Sequence, residues 1–186
     1  MFKLVLSLLL LFALGFGGEP SPFGLKLGKT TEGEFLKVVE DRGWRVEKSG
    51  YRIIKGDVSN PEVSGYQIGG INLDKLSQAF FWFYKGVLFQ VEYRLYENMS
   101  KETFKYYYEQ LRAKYGRPSV YREPWLQNGR AVWKFRNVTL ELYSPWVGRV
   151  TYLTYTHRRL NAEAERSDKK HYREYIKRKS RTTEGI

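Results

Sequence analysis

AFFWFYKGVLFQVEYRLY, residues 79–96, sets two aromatic and β-branched runs on either side of Lys85-Gly86. Such runs around a two-residue turn predict a β-hairpin. With Lys85-Gly86 as the turn, Tyr84 faces Val87, Phe83 faces Leu88, Trp82 faces Phe89, Phe81 faces Gln90 and Phe80 faces Val91. Directly opposed residues share a face. Phe80, Trp82, Tyr84, Val87, Phe89 and Val91 then make a core face. The opposite face carries Phe81, Phe83 and Leu88 beside Gln90 and Glu92. Three large apolar side chains need cover, from the N-terminal Phe23, Leu25 and Leu27, from the tail, or from a partner.

A second hairpin, Ala131 to Tyr143 turning at Arg136-Asn137, puts Lys134, Thr139 and Glu141 on that opposite face, as solvent requires. Trp82–Val91 aligns with Trp133–Leu142, which predicts an internal repeat. Farther out, Thr31 and Glu34 fit a capping box that opens a helix ending at Gly43. Ser100 caps a second helix, about Lys101 to Tyr115, closed by Gly116 and Pro118. Trp44–Lys48 and Tyr51–Lys55 read as short strands around Ser49-Gly50, and Gly56–Gly65 as a loop. Tyr66–Ile68, Val120–Arg122 and Arg149–Thr156 read as further strands. The fold class is therefore α+β: two helices on a largely antiparallel sheet, with a tandem helix-plus-hairpin repeat and a basic C-terminal tail.

Met1-Phe-Lys3 followed by the apolar run Leu4–Leu14 and small residues Ala13, Gly15, Gly17 and Gly18 matches a secretory signal peptide. The run is shorter than the roughly 20 apolar residues of a membrane-spanning helix. The expected organisation is a signal peptide over 1–18, one domain over 19–156 (halves about 23–96 and 100–156), and a tail over 157–186, helical or disordered. The expected location is the periplasm or the exterior. Of the net charge of +12, the tail carries +5, from ten basic and five acidic residues. Arg158, Arg159, Lys169, Lys170, Arg173, Lys177, Arg178 and Lys179 are its candidate contacts, with Phe81, Phe83 and Leu88 on the hairpin. Leu160, Ala164, Tyr172, Tyr175 and Ile176 allow a loosely amphipathic helix to about Arg178, and the body should stay folded without the tail.

The 186 residues contain no Cys, and both histidines, His157 and His171, lie in the tail. Disulfides, thiolate metal sites and Cys nucleophiles are excluded, and no Ser-His-Asp triad can form within residues 19–156. Glu32/Glu34 and Glu40/Asp41 are the carboxylate pairs, placed at the start and end of the first helix, where structural roles suffice. Gly28-Lys29-Thr30 lacks the Gly that a phosphate loop needs, since position 23 is Phe. No catalytic residue, cofactor or metal is expected.

Leu27-Gly28-Lys-Thr-Thr-Glu-Gly-Glu34, then a helix ending in Gly and a run of strands, resembles the opening of the small outer-membrane-assembly lipoproteins. It is also similar to the β-lactamase-inhibitor-type modules. Those lipoproteins attach through a Cys, which this chain lacks. The resemblance implies an exported interaction module and carries over no functional residue. The expected function is thus non-enzymatic binding of a protein or an anionic component of the cell envelope, with peripheral membrane contact through the tail. An enzyme acting on cell-wall polysaccharide needs a carboxylate pair in an aromatic-lined cleft. A nucleic-acid binder, the less favoured partner class, needs Arg, Lys and exposed aromatics on one continuous face.

Overall fold

A computed structural model describes residues 18–182; the signal-peptide reading falls on residues outside this range, apart from Gly18. The chain runs through a short 3₁₀ turn, Pro22–Gly24, into helix α1 (Glu32–Asp41). Strands β1 (Arg45–Lys55), β2 (Val58–Gly69), β3 (Leu76–Tyr84) and β4 (Val87–Tyr96) follow. Helix α2 (Glu102–Tyr115) leads into β5 (Val120–Arg122), β6 (Gly129–Lys134), β7 (Val138–Ser144) and β8 (Val150–His157), and helix α3 (Arg158–Thr182) ends the fold. All eight strands form one antiparallel sheet in the order β1-β2-β3-β4-β8-β7-β6-β5. The order is symmetric about the β4–β8 seam, with each of α1 and α2 preceding its own four-strand meander.

Local chemistry explains the starts and turns. Thr31 Oγ1 accepts from the Glu34 amide, and the Glu34 carboxylate accepts from the Thr31 amide at 2.7 Å. Those bonds hold the Glu34 carboxyl below its ordinary range. At the β3–β4 turn, Lys85 and Gly86 both have positive φ (49° and 77°), as a type I′ turn requires. Phe35 of α1 packs its ring 4.8 Å from Phe81 and 5.1 Å from Phe83. The N-terminal Leu25 and Leu27 complete the cover of that core.

The β3–β4 register corrects the sequence reading of the hairpin faces. Phe83 pairs with Leu88, but Trp82 then pairs with Gln90, Phe81 with Val91 and Phe80 with Glu92, so Phe89 is the extra residue of a bulge. Leu88 bonds to the N-terminal segment there, donating its amide to the Thr30 carbonyl (2.9 Å) and accepting from the Gly28 amide (2.7 Å). The bulge moves Val91 and Tyr93 onto the side of Phe81, Phe83 and Leu88, all five buried in the helix-side core. Phe81, Phe83 and Leu88 are 0% exposed, so they form the core and offer no surface to a partner.

Further expectations are corrected. Two helices on the sheet become three among the described residues, because the tail is a 25-residue helix docked on the sheet's outer face. The helix-plus-hairpin repeat is overturned: each unit is a helix plus four strands, and Trp82 and Trp133 point to opposite faces. The Ser49-Gly50 break and the Gly56–Gly65 loop are continuous strand in β1 and β2, with the turn at Gly56-Asp57. At α2, the N-cap is Lys101, whose side chain makes no capping bond. The buried Glu97 carboxylate does this instead, accepting from the Thr103 (3.1 Å) and Phe104 (2.9 Å) amides and from the Thr151 hydroxyl (2.7 Å).

Beneath α3 lies a small outer core of Val63, Tyr84, Phe89, Leu160 and Ala164. A polar latch continues it. Asn60, fully buried, donates to Asp168 (2.7 Å) and Ser167 (3.1 Å); Ser167 donates to Glu62, which also pairs with Lys85 at 3.3 Å. The Ser167 bond, ahead of the Lys85 charge, lowers the Glu62 pKa. Tyr175 bonds Asp57 at 3.2 Å, anchoring the helix over the β1–β2 turn.

Candidate functional site

Because α3 crosses toward β2 and β1, the outer face of the second meander has no helix over it among the described residues. Register places one row of side chains straight across this bare face. Arg122 opposes Arg130, Arg130 opposes Tyr143, Tyr143 opposes Tyr152, Tyr152 opposes Arg94, and Arg94 opposes Gln78. The next row runs Val132, Glu141, Thr154, Glu92, Phe80. Directly opposed like charges are destabilising in a sheet, so Arg122 beside Arg130 costs stability unless an anion meets them.

The row is ordered by its own contacts. Arg130 Nε donates to Glu141 Oε1 at 2.5 Å, and Arg94 Nε donates to Glu92 Oε1 at 2.8 Å. The Arg94 guanidinium lies 4.5 Å from the Phe80 ring centroid, and the Tyr143 and Tyr152 rings are 6.3 Å apart. Arg122 makes no ion pair among the described residues. A cleft of about 620 Å³ opens over Arg122, Arg130, Glu141, Tyr143, Tyr152 and Glu92.

Two loops form the rim at the end of the sheet where Asn128 and Pro145 line the cleft. Trp125 and Leu126 sit in one, and Trp146 and Val147 in the other, with exposures of 75%, 71%, 51% and 79%. The Trp146 amide donates to Asn128 Oδ1 at 2.7 Å, which ties the loops together. The buried Lys101 ammonium donates to the Pro145 (2.8 Å) and Gly148 (3.0 Å) carbonyls, which fixes the second loop from behind. Large apolar side chains are thus held out in water on braced loops.

The residues singled out in the sequence go elsewhere. Arg159, Lys169, Lys170, Arg173, Lys177, Arg178 and Lys179 lie on the exposed side of α3, and Arg158, also exposed, donates to the Arg136 carbonyl at the β6–β7 turn. Of the carboxylate pairs, Glu34 caps α1, Glu32 accepts from the Tyr66 hydroxyl, and Glu40 and Asp41 are exposed. Burial, then the Glu32 bond, pushes the Tyr66 hydroxyl up to about 12. The cleft residues come from β4 to β8, and Glu92 of β4 joins the others only through the long-range β4–β8 pairing. Alternation placed Glu92 and Glu141 on one face, but no single stretch of sequence contains the row.

No curated protein and no solved structure matches the chain. Neither family that Leu27–Glu34 resembles was found among the comparisons. The TP0088 domain family matches residues 21–167, which takes in both helix-plus-meander units and α3 as far as Ser167. The chain belongs to the TP0088 domain family.

Proposed function

We propose that the chain is an exported, non-enzymatic binding module whose contact surface is the bare outer face of the second meander. Its partner is a protein or an anionic component of the cell envelope. One observation carries the reading: an Arg-Arg-Tyr-Tyr-Arg row lies uncovered, and the β5–β6 and β7–β8 loops, whose Asn128 and Pro145 line the cleft over it, also carry the exposed Trp125 and Trp146. Arg, Tyr and Trp are the side chains that dominate binding hot spots, and braced loops lose little freedom when a partner closes on them. Arg122 supplies a cation with no ion-pair partner among the described residues. The exposed basic side of α3 adds a second, salt-sensitive contact for an acidic or lipid surface. Glu92 and Glu141 within the second row disfavour a nucleic-acid backbone.

A second reading rests on the same two carboxylates, which line an aromatic cleft as a polysaccharide hydrolase requires. Each is bonded to a guanidinium, whereas the acid of such a pair sits in an apolar pocket. Binding is the better-supported reading. Capture from envelope extract with the wild-type chain, Arg122→Glu and Trp146→Ser tests it. Both variants should lose the wild-type partner. Retention by both variants, or wall-polysaccharide cleavage abolished by Glu92→Gln and Glu141→Gln, would overturn the reading.

A further inference from the structure

The sheet has two unlike ends. At one end the hairpin turns Gly56-Asp57, Lys85-Gly86 and Arg136-Asn137 are polar. At the other, the β2–β3, β4–α2, β7–β8 and β5–β6 connections stand side by side in the order that the sheet gives them. Hydrogen bonds stitch these connections edge to edge. The Tyr96 amide donates to the Lys75 carbonyl (2.7 Å), the Glu97 amide to the Arg149 carbonyl (2.9 Å), and the Trp146 amide to Asn128 Oδ1 (2.7 Å). Met99, Trp125, Leu126 and Val147 stand on them, 71% to 79% exposed. Among the described residues, Ile53 is the only other large apolar side chain left as bare.

Folding does not account for these tips. Leu126 has φ +51°, a left-handed backbone that strains a bulky residue, and it gains no burial in return. None of the four lines either cleft that opens at this end, the one over Tyr143 or the one over Tyr106. They project from the surface instead of flooring a groove. The connections that carry them run from β4 to β5, an edge of roughly 19 Å at the usual strand spacing. Separate tips along one edge fit a flat, fluid apolar boundary, whereas a protein partner would have to supply a pocket for each. Exposed charge here is mixed: Lys75, Arg122 and Arg149 stand against Asp74, Glu102 and Glu123. The apolar tips, not charge, are therefore the anchor.

We propose that this end of the sheet docks on a phospholipid bilayer, with Met99, Trp125, Leu126 and Val147 at the boundary between head groups and acyl chains. Trp is enriched at that depth in membrane proteins, and Lys75 and Arg149 keep their charged ends among the head groups. This contact deepens the binding-module reading, on which it rests: the loop tips take the lipid, and the Arg-Tyr row stays open to the partner.

Spin labelling of the full-length chain on phosphatidylcholine vesicles tests the contact. The sequence has no Cys, so Leu126→Cys and Val147→Cys each carry one nitroxide, with Asp57→Cys and Arg136→Cys as controls at the polar end. Labels at 126 and 147 should be shielded from a water-soluble nickel chelate and open to oxygen, while those at 57 and 136 stay in water. The readout is local, so an attachment elsewhere in the chain does not mimic it. Immersion should persist in about 1 M salt, where charges are screened within about 3 Å. Trp125→Ser combined with Met99→Ser should return the label at 147 to water. Leu126→Gly should leave the melting temperature unchanged or higher, since glycine favours that backbone. Labels at 126 and 147 that stay in water, immersion lost with salt, or a fold that Leu126→Gly destabilises overturns the proposal. Arg122→Glu should leave both labels immersed. If it also keeps the wild-type partner, the outer-face reading fails and the bilayer contact stands.

Discussion

Arg52 of the first strand donates to Asp168 of the last helix at 2.9 Å, across 116 residues of chain. The same guanidinium lies 5.4 Å from the Trp82 ring and 5.3 Å from Phe89. Trp82 in turn lies flat against Gly65, where a Cβ would come within 2.4 Å of the indole. Strand, hairpin and tail are therefore locked into one layer, and the tail is part of the fold.

Asp168→Ala should lower stability by about 1–3 kcal/mol, because it removes a charged hydrogen bond and leaves Asn60 and Arg52 underbonded. Leu160→Ala should cost about 2–4 kcal/mol through the cavity it leaves. Deleting residues 158–182 should destabilise more than either, since Val63, Tyr84 and Phe89 lose their cover. Urea denaturation followed by tryptophan fluorescence measures all three. A truncated chain with an unchanged midpoint would show that α3 is not part of the folded unit.

Phe83→Ala should destabilise by about 3–5 kcal/mol, as for a fully buried aromatic. Phe83→Lys should prevent folding, because it places an unpaired charge beside Phe35 and Tyr66. Circular dichroism of the isolated chain reads both. A folded, stable Phe83→Lys chain would contradict the burial of Phe83 in the helix-side core.

That register also shows where sequence reading stops. Thr31/Glu34 and Lys85-Gly86 were legible because caps and tight turns are set by adjacent residues. The bulge was not, because alternation gives no sign of one inserted residue until Leu88 is seen bonding to Gly28 and Thr30. Helix α3 was hard to place because its docked stripe, Leu160, Ala164, Ser167 and Asp168, is small and polar rather than apolar. Asn60-Pro61 falls within the Gly56–Gly65 stretch that reads as a loop, yet Asn60 is the buried anchor of that helix. The outer row was legible strand by strand, as the polar side of a hairpin. Its assembly required the β4–β8 pairing, which joins residues about 60 positions apart.

Gly28 has φ +81°, and a Cβ there would lie 2.5 Å from the His157 ring. Gly28→Ala should therefore cost about 2–4 kcal/mol, from the left-handed backbone plus overpacking against the imidazole. Pairing it with His157→Ala should return part of that loss. A double-mutant cycle by denaturation measures the coupling, and strict additivity would contradict the contact.

His157 is buried, and burial, aided by the Arg159 charge, holds its pKa below the ordinary 6.5. The unfolded chain then takes up the proton more readily than the folded one, so stability rises with pH in this range. The contribution is present above pH 6.5 and is lost as pH falls through the lower, folded-state pKa. His157→Gln should flatten that part of the curve. Unfolding midpoints from pH 7.5 downward for both chains decide it; parallel curves would remove His157 from the account.

The central claim is that the bare face of the second meander meets the partner. A photo-crosslinking residue placed at Trp146, at Tyr143 and, as a control, at Lys105 on the exposed side of α2 tests this in intact cells. The account predicts one discrete adduct of the same mass from positions 146 and 143 and none from 105. An adduct from 105 with none from 146 or 143 would contradict it.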